Sequence, residues 1–189
     1  MTIRIISGYL KGKKINYIRN SSTRPLKDSV KENIFNILLH SNLINVDIKN
    51  SNILDLYSGV GSFGLECISR GAKKVTFVED SKISAKILYE NLRKLSMKSK
   101  YEVYNISTES FFKKEFSVKF DVFFLDPPFS DIKFLQDIKL IKDFNLYKKN
   151  HIVIIHREKK TLDKFEKFLN IKFTKTYGRS KIIFATLIE

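Results

Sequence analysis

The stretch Asn52-Ile-Leu-Asp55-Leu-Tyr-Ser-Gly59-Val-Gly61-Ser-Phe-Gly64 decides the fold of this 189-residue chain. Its apolar beginning predicts a buried strand, and its glycines predict a tight turn into a helix, where a ligand can approach the backbone closely. Beyond it, strand-like and helix-like segments alternate, which is typical of a parallel sheet covered by helices. We therefore expect an α/β protein with a doubly wound sheet.

The alternation continues nearly to the end of the chain. Strands are predicted at 52–57, 74–79, 101–105, 120–125 and 151–155, and helices at 62–70, 82–96, 108–114, 132–143 and 161–169. The residues expected to point inward from the helices at 82–96 and 132–143 are Ile83, Ile87, Leu88, Leu92 and Leu95, and Phe134, Ile138 and Ile141. Two further runs, 171–177 and 181–188, are close enough in sequence to pair antiparallel. The prediction is a Rossmann-like, mostly parallel seven-stranded sheet with an antiparallel C-terminal hairpin.

The first 50 residues do not follow this alternation. Two short β-prone runs within 3–19 predict a small hairpin. Ser29 and Glu32 match a capping box, and apolar residues recur at helical spacing behind them, so a helix is predicted over 29–40. We therefore divide the chain into a basic hairpin-and-helix appendage, 1–50, and a sheet domain, 51–189.

Composition limits the class of protein. The chain is 43% hydrophobic, so it can bury a sizeable core. Its single cysteine, Cys67, cannot form an intramolecular disulfide, and its three histidines lack a recognisable zinc spacing, so no metal is expected. No apolar run approaches the roughly 20 residues of a bilayer span, and the start lacks the apolar core of a signal peptide. We expect a cytoplasmic protein with no membrane partner.

Charge indicates the class of partner. The net charge of +15 is typical of a protein that binds a polyanion, and nucleic acid is the expected one. A lysine-rich codon preference would raise the charge without any such partner. The N-terminal cations are predicted to contact phosphate, the alternative being a solvated hairpin: Arg4, Lys11, Lys13, Lys14, Arg19 and Arg24.

The glycine loop admits two cofactors. Glu79 ends the next strand about twenty residues after the loop, where an acid that binds a ribose belongs, and this spacing is found in nicotinamide and flavin enzymes. Asp55, however, lies four residues before Gly59, where it would repel a pyrophosphate. S-adenosylmethionine has no phosphate and carries a sulfonium and an ammonium, so Asp55 would attract it. In the alternative interpretation, the glycines make only a tight turn and Asp55 caps the helix.

A second signature follows the strand at 120–125. Asp126-Pro127-Pro128-Phe129 stops that strand, because proline cannot donate to a sheet ladder, and it leaves backbone carbonyls free at the edge where ligands bind. The amino nitrogen of guanine or adenine is a poor nucleophile, and acceptors for its N–H groups favour the transition state in which positive charge grows on nitrogen. We predict that Asp126 and the Pro127 carbonyl are these acceptors. Phe129 would stack on a base taken out of its helix.

Asp-Pro-Pro-Phe downstream of an acid and a glycine loop resembles the amino-methyltransferase signature of class I S-adenosylmethionine enzymes. Three segments are similar, in order and spacing, to the RsmD family of bacterial methyltransferases: Ile3-Arg-Ile-Ile-Ser-Gly-Tyr-Leu-Lys-Gly-Lys-Lys-Ile15, Thr23-Arg-Pro-Leu-Lys-Asp-Ser-Val-Lys-Glu-Asn-Ile-Phe-Asn36 and Leu54-Asp-Leu-Tyr-Ser-Gly-Val-Gly-Ser-Phe-Gly-Leu-Glu-Cys-Ile-Ser-Arg-Gly-Ala72. Members of that family methylate the exocyclic amine of a guanine in 16S ribosomal RNA. The resemblance implies the same activity here, with 51–189 as the class I methyltransferase domain and a partly assembled small ribosomal subunit as the substrate.

The resemblance also implies roles for individual residues. Asp126 through Phe129 would receive the guanine, and Glu79 would hold the ribose of the cofactor. The predicted cofactor site as a whole consists of Asp55, Tyr57, Gly59, Gly61, Glu79, Asp80 and Ser107. Ser107 departs from the Asp or Asn that such families often place near the cofactor adenine, and His156, to which we assign no role, departs from an expected acidic strand end.

Three other functions stay open at this point. A nicotinamide oxidoreductase is disfavoured by Asp55 and by Asp-Pro-Pro-Phe. A nucleic-acid-binding protein without catalysis is disfavoured because both halves of the site are intact. A DNA adenine methyltransferase needs the same acceptors, and only the resemblance over residues 3–36 separates it from an rRNA enzyme.

Overall fold

The computed structural model describes residues 2–17, 26–96, 100–165 and 167–188. Its strands are β1 (Thr2–Arg4), β2 (Lys14–Asn16), β3 (Asn52–Leu56), β4 (Lys74–Val78), β5 (Tyr101–Tyr104), β6 (Phe120–Leu125), β7 (Tyr147–Glu158), β8 (Leu169–Tyr177) and β9 (Ser180–Leu187). Its helices are α1 (Asp28–His40), α2 (Ser62–Ser69), α3 (Lys82–Lys94), α4 (Thr108–Phe111) and α5 (Phe134–Asp143).

Seven strands form the central sheet, in the order β5-β4-β3-β6-β7-β9-β8. The first five of these are parallel, and β9 pairs antiparallel with both β7 and β8. This arrangement confirms the predicted doubly wound sheet with its antiparallel C-terminal hairpin. The small sheet of β1 and β2 confirms the N-terminal hairpin.

Strand register brings the ends of β3, β4 and β6 to one level. Leu56 of β3 lies opposite Val78 of β4 and Leu125 of β6, and Leu125 lies opposite Ile155 of β7. Tyr57, Glu79 and Asp126 therefore leave the sheet at the same edge, beside His156 of β7, a strand that continues to Glu158. This is the carboxyl edge, where open α/β sheets bind ligands.

The appendage docks on the sheet domain through a buried acid, Glu66 of α2. Its carboxylate accepts the backbone N–H groups of Ile6 at 2.8 Å and Ser7 at 2.9 Å. Arg70 donates to the same carboxylate at 3.0 Å, and the buried Lys31 ammonium of α1 lies 3.7 Å away. Together these contacts hold the hairpin, α1 and α2 as one packed unit.

Apolar residues of the appendage join the same core. Ile5 and Ile15 are fully buried in one hydrophobic cluster with Ile53 of β3 and Phe63 of α2. The opposite face of the sheet has a second cluster, which includes Leu54 of β3, because successive strand residues point to opposite faces. The division of the chain at residue 50 stays a prediction.

Two local predictions are wrong. No helix forms over 161–169 in the described part of that segment; Leu162 is 97% exposed, and β8 begins at Leu169. Asp163 there accepts hydrogen bonds from Arg157 and the Thr161 hydroxyl, and these contacts hold the segment in a non-helical path. Ile83, expected to point inward, is 57% exposed because it lies on the solvent side of α3.

The prediction of a capping box at Ser29 and Glu32 is also wrong. Helix α1 begins one residue earlier, at Asp28, after Lys27, and no side chain caps its first turn. The Asp28 carboxylate accepts instead from the Arg4 guanidinium, 3.3 Å away. Within the described ranges, no helix has the length and apolar character needed to cross a membrane.

Candidate active site

Asp55 lies in β3, one residue before the carboxyl edge, and is only 1% exposed. One carboxylate oxygen, Oδ2, accepts the backbone N–H of Gly64 in the first turn of α2, at 3.0 Å. The other oxygen, Oδ1, is buried and has no hydrogen-bond partner among the described residues. Burial raises the pKa of Asp55 well above its usual range, and the negative charges of Asp126 and Glu79 raise it further. The three carboxylates therefore share one site.

The glycines of the loop have different tasks. Gly59 has a positive φ of 55°, and a Cβ added there would meet no atom within 4 Å, so its face is open to a ligand. Gly61 also has a positive φ, 87°, but a Cβ there would lie 2.4 Å from Leu88 Cδ1 of α3. A Cβ on Gly64 would lie 2.2 Å from the Phe77 ring of β4. The backbone at Gly59 thus borders the open space where a ligand can bind, here called the opening, whereas Gly61 and Gly64 allow close packing.

Glu79 closes the loop from the end of β4. Its carboxylate accepts the Gly59 N–H at 2.7 Å and the Ser81 N–H at 2.8 Å. Burial raises the pKa of this carboxyl group. Each oxygen keeps a second lone pair, so Glu79 can still accept hydrogen bonds from a ligand hydroxyl.

Sequence reasoning missed Asn105, which follows β5. Its side-chain amide donates to the carbonyls of Glu79 at 2.7 Å and Asp80 at 3.2 Å. The side chain of Asp80 is exposed beside it. Ser107, predicted for the cofactor site, accepts the Ser110 N–H at 3.2 Å as the cap of α4. Asn105 therefore joins the polar groups on this side of the opening.

Tyr57 lies directly after β3 with a positive φ of 62°. Its hydroxyl donates to the Asp137 carboxylate of α5 at 2.5 Å. Burial and the neighbouring Asp137 charge raise the pKa of Tyr57, and burial raises that of Asp137. Asp137 is a second residue that sequence reasoning missed, and it holds the Tyr57 ring against α5.

Asp-Pro-Pro-Phe lies beside this loop, at the end of β6. The Asp126 carboxylate is 2.8 Å from Nδ1 of His156. The ring of Phe129 is 38% exposed and stands edge-on to the His156 ring, with 5.4 Å between centroids and 85° between planes. His156 therefore contacts both the acid and the aromatic residue of the signature.

Arg157, the next residue of β7, holds the backbone of this segment. Its guanidinium donates to the carbonyls of Pro128 and Phe129, both at 3.0 Å, and pairs with Asp163. These two carbonyls are consequently occupied. The Pro127 carbonyl, which we predicted to be free, accepts no hydrogen bond within the described residues.

Comparison with known proteins identifies the family of this chain. The profile of the family described as Conserved hypothetical protein 95 matches residues 3–186. Ribosomal RNA small subunit methyltransferase D of Haemophilus influenzae is 40% identical over 159 residues, which are 83% of this chain and 79% of that protein. The chain belongs to the RsmD family. The protein of the same name from Buchnera aphidicola is 34% identical over 84% of this chain and 79% of its own.

Solved structures agree with the assignment to the RsmD family. A candidate methyltransferase of Escherichia coli superposes with a TM-score of 0.81 at 25% identity, over 98% of this chain and 97% of that chain. A candidate methylase of Haemophilus influenzae superposes with a TM-score of 0.76 at 35% identity, over the whole of both chains. The match includes the N-terminal appendage as well as the sheet.

The predicted RNA-contacting cations of this RsmD-family chain differ in their surroundings. Arg4 pairs with Asp28, whereas Lys11, Lys13 and Lys14 are exposed. Arg19 and Arg24 lie outside the described residues. A groove of about 280 Å³ is lined by Leu10, Lys13, Lys14, Lys94, Leu95 and Ser96, so α3 adds a lysine that sequence reasoning did not single out.

Metal-binding side chains are not grouped in the part of the chain that the structure describes. No cluster of three or more His, Cys, Asp or Glu residues there could hold an ion. The thiol of Cys67 is buried in α2, and burial raises its pKa.

Proposed function

We propose that this chain transfers a methyl group from S-adenosylmethionine to the exocyclic amine of a guanine in 16S rRNA of the small ribosomal subunit. The observation that supports this most directly is the meeting of Asp55, Glu79 and Asp126 at one edge, beside an open glycine loop and an exposed aromatic ring. Relatives at 34–40% identity are named small-subunit rRNA methyltransferases.

The residues present fit a cationic, phosphate-free cofactor. Asp55 Oδ1 is a buried acceptor without a partner, and Gly59 leaves open space beside it. The carboxylates of Asp126 and Glu79 are close enough to raise the pKa of Asp55, and the three acids together attract a cation and repel a pyrophosphate. This argues against a nicotinamide cofactor. When bound, S-adenosylmethionine supplies an electrophilic methyl carbon attached to a sulfonium. The sulfur keeps the electron pair of the broken carbon–sulfur bond and leaves as a neutral thioether.

Asp55 and Glu79 would hold the cofactor from two sides. Asp55 lies close to the backbone of the loop, where it can pair with positive charge. Glu79 has spare lone pairs for the ribose hydroxyls. Asn105 braces the backbone of Glu79 and Asp80, which keeps this side of the opening in place.

Asp126 and the Pro127 carbonyl would receive the amine of the target base. As the carbon–nitrogen bond forms, the nitrogen becomes positive, and a carboxylate that accepts its N–H stabilises that charge. The same carboxylate could accept the proton that the methylated nitrogen must lose. The exposed face of Phe129 would stack on the base, which must leave its helix to reach the methyl group.

The rival substrate is adenine in DNA, because its amine requires the same acceptors. The named relatives act on small-subunit rRNA, and the family match includes the appendage, where Lys13 and Lys14 are exposed. These observations favour rRNA. A partly assembled small subunit as the natural substrate is part of the proposal.

Replacing the proposed acceptor tests the mechanism. Asp126→Asn keeps the size of the side chain but removes its charge, so kcat should fall by about 10²–10³-fold. The dissociation constant of S-adenosylmethionine, measured by calorimetry, should stay within about twofold of the wild-type value. Asp143→Asn, at an exposed ion pair with Lys139, is the matched control and should leave both quantities unchanged. Near-full activity of Asp126→Asn would remove Asp126 from catalysis.

A further inference from the structure

His156 occupies a place between the two parts of Asp-Pro-Pro-Phe that would touch the base. Its side chain is 9% exposed within β7, and it contacts both the Asp126 carboxylate and the Phe129 ring. The parallel register explains the first contact, because Leu125 and Ile155 lie opposite each other immediately before the pair.

Geometry fixes the hydrogen on the imidazole. A carboxylate only accepts hydrogen bonds, so the ring nitrogen that faces it at 2.8 Å, Nδ1, must donate. The other nitrogen, Nε2, is buried and has no partner among the described residues. The contact therefore places a hydrogen on Nδ1, the nitrogen that faces Asp126.

We propose that His156 is a positioning residue for the target amine. Its Nδ1–H group holds one oxygen of Asp126, so the other oxygen is directed toward the base. Its ring edge simultaneously sets the orientation of Phe129, so the acceptor and the stacking surface keep a constant separation. This inference rests on the proposed function and assigns to His156 a role that the sequence did not predict.

Arg157 supports the same arrangement from the opposite side of β7. It holds the carbonyls of Pro128 and Phe129, and Asp163 neutralises it. The backbone of the segment is thus held by Arg157, which leaves the orientation of two side chains, those of Asp126 and Phe129, to His156. Loss of His156 should therefore disturb the chemistry while the segment stays folded.

Two variants separate positioning from packing. His156→Leu keeps a side chain of moderate size but removes the hydrogen-bond donor. The kcat should fall by about tenfold to a hundredfold, as expected for a lost hydrogen bond to a charged group. His156→Asn places an amide N–H near the position of Nδ1 and should recover most of kcat. The KM for RNA and the affinity for S-adenosylmethionine should change by less than about threefold in both.

The double variant and a spectroscopic measurement complete the test. In an Asp126→Asn background, His156→Leu should cause a smaller loss than it does in the wild-type protein, because the charged acceptor that His156 holds is already gone. Nitrogen-15 NMR of the imidazole in the protein without ligand should show hydrogen on Nδ1, with His156→Asn identifying the signal.

The outcomes are distinguishable. If wild-type protein methylates rRNA and His156→Leu is equally fast, or if His156→Asn is as slow as His156→Leu while both are folded, the positioning role is wrong. An Nδ1 that carries no hydrogen would also overturn it. If the wild-type protein does not methylate rRNA, the proposed function fails, and the NMR result still decides the His156–Asp126 contact.

Discussion

The buried charge of Asp55, which we propose to bind the cofactor, costs the folded protein stability. Its folded pKa is raised, so the folded state binds its proton more tightly than the unfolded state does. Stability is therefore lost as pH rises from the ordinary Asp value toward the folded one. Asp55→Asn removes this charge and should raise the Tm at neutral pH, with a gain that shrinks as pH falls from the raised folded value toward the ordinary Asp value.

The same substitution should weaken cofactor binding. Losing a charge-assisted contact predicts an affinity for S-adenosylmethionine that is about tenfold to a hundredfold lower. Calorimetry and thermal melts on one preparation measure both effects. An unchanged affinity would remove Asp55 from the cofactor site, and a Tm that falls would contradict the destabilising charge.

At the residue scale, the sequence predicts those groups that adjoin a strand end within a local motif. Asp55, Glu79 and Asp126 each follow or end an apolar run, so their meeting at one edge follows from the parallel sheet. His156 and Asn105 act through contacts between strands far apart in sequence. Their roles depend on register, which no local pattern reveals, although an aligned set of strand ends would have drawn attention to His156.

The docking of the N-terminal hairpin on α2 depends on a close backbone approach at Gly8. Gly8 and Gly12 have nearly equal positive φ values, 79° and 80°, but a Cβ on Gly8 would lie 1.9 Å from the Ser69 carbonyl oxygen, and one on Gly12 would meet nothing. Gly12→Ala should cost only the left-handed backbone penalty, about 1–2 kcal/mol. Gly8→Ala should cost about 1–3 kcal/mol more, because of overpacking.

Urea unfolding of the two variants measures this difference. Since the backbone strain is the same, the difference reports the contact of the hairpin with α2 alone. Equal losses of unfolding free energy would mean that the hairpin does not need this approach.

At the element scale, alternation of apolar segments was sufficient to predict the parallel strands and the C-terminal hairpin. The predicted helix at 161–169 was wrong because the spacing of apolar residues there resembles a helix, whereas Asp163 is drawn to Arg157 of β7. The predicted start of α1 was wrong because Asp28 pairs with Arg4, which is 24 residues away in the chain. Local signals fail where a tertiary ion pair competes with them.

Charge distribution over the whole molecule should govern the RNA affinity. Lys13 and Lys94 border one groove, whereas Lys119 and Lys149 are exposed elsewhere. Lys13→Glu with Lys94→Glu should weaken binding to 16S rRNA and reduce the dependence of log Kd on log salt by about one for each lost phosphate contact. Lys119→Glu with Lys149→Glu changes the net charge equally and serves as the control. Equal losses in both pairs would indicate a general charge effect without a preferred surface.

At the scale of the whole molecule, the sequence indicates the polyanion partner through its net charge of +15 but does not locate the surface that binds it. The groove appears only once α3 and the hairpin are packed together. The buried position of Glu66, which ties the hairpin to α2, likewise has no local sequence signal.

The central claim is methylation of a guanine amine in 16S rRNA, and product analysis tests it most directly. Labelled S-adenosylmethionine is supplied with mature small subunits, with partly assembled particles or with deproteinised 16S rRNA, each from a strain that lacks the corresponding modification, and the product nucleosides are separated. We expect labelled guanosine methylated on its exocyclic amine, with the higher rate on partly assembled particles. Label on adenine, or no incorporation by protein that still binds the cofactor, would contradict the proposed function.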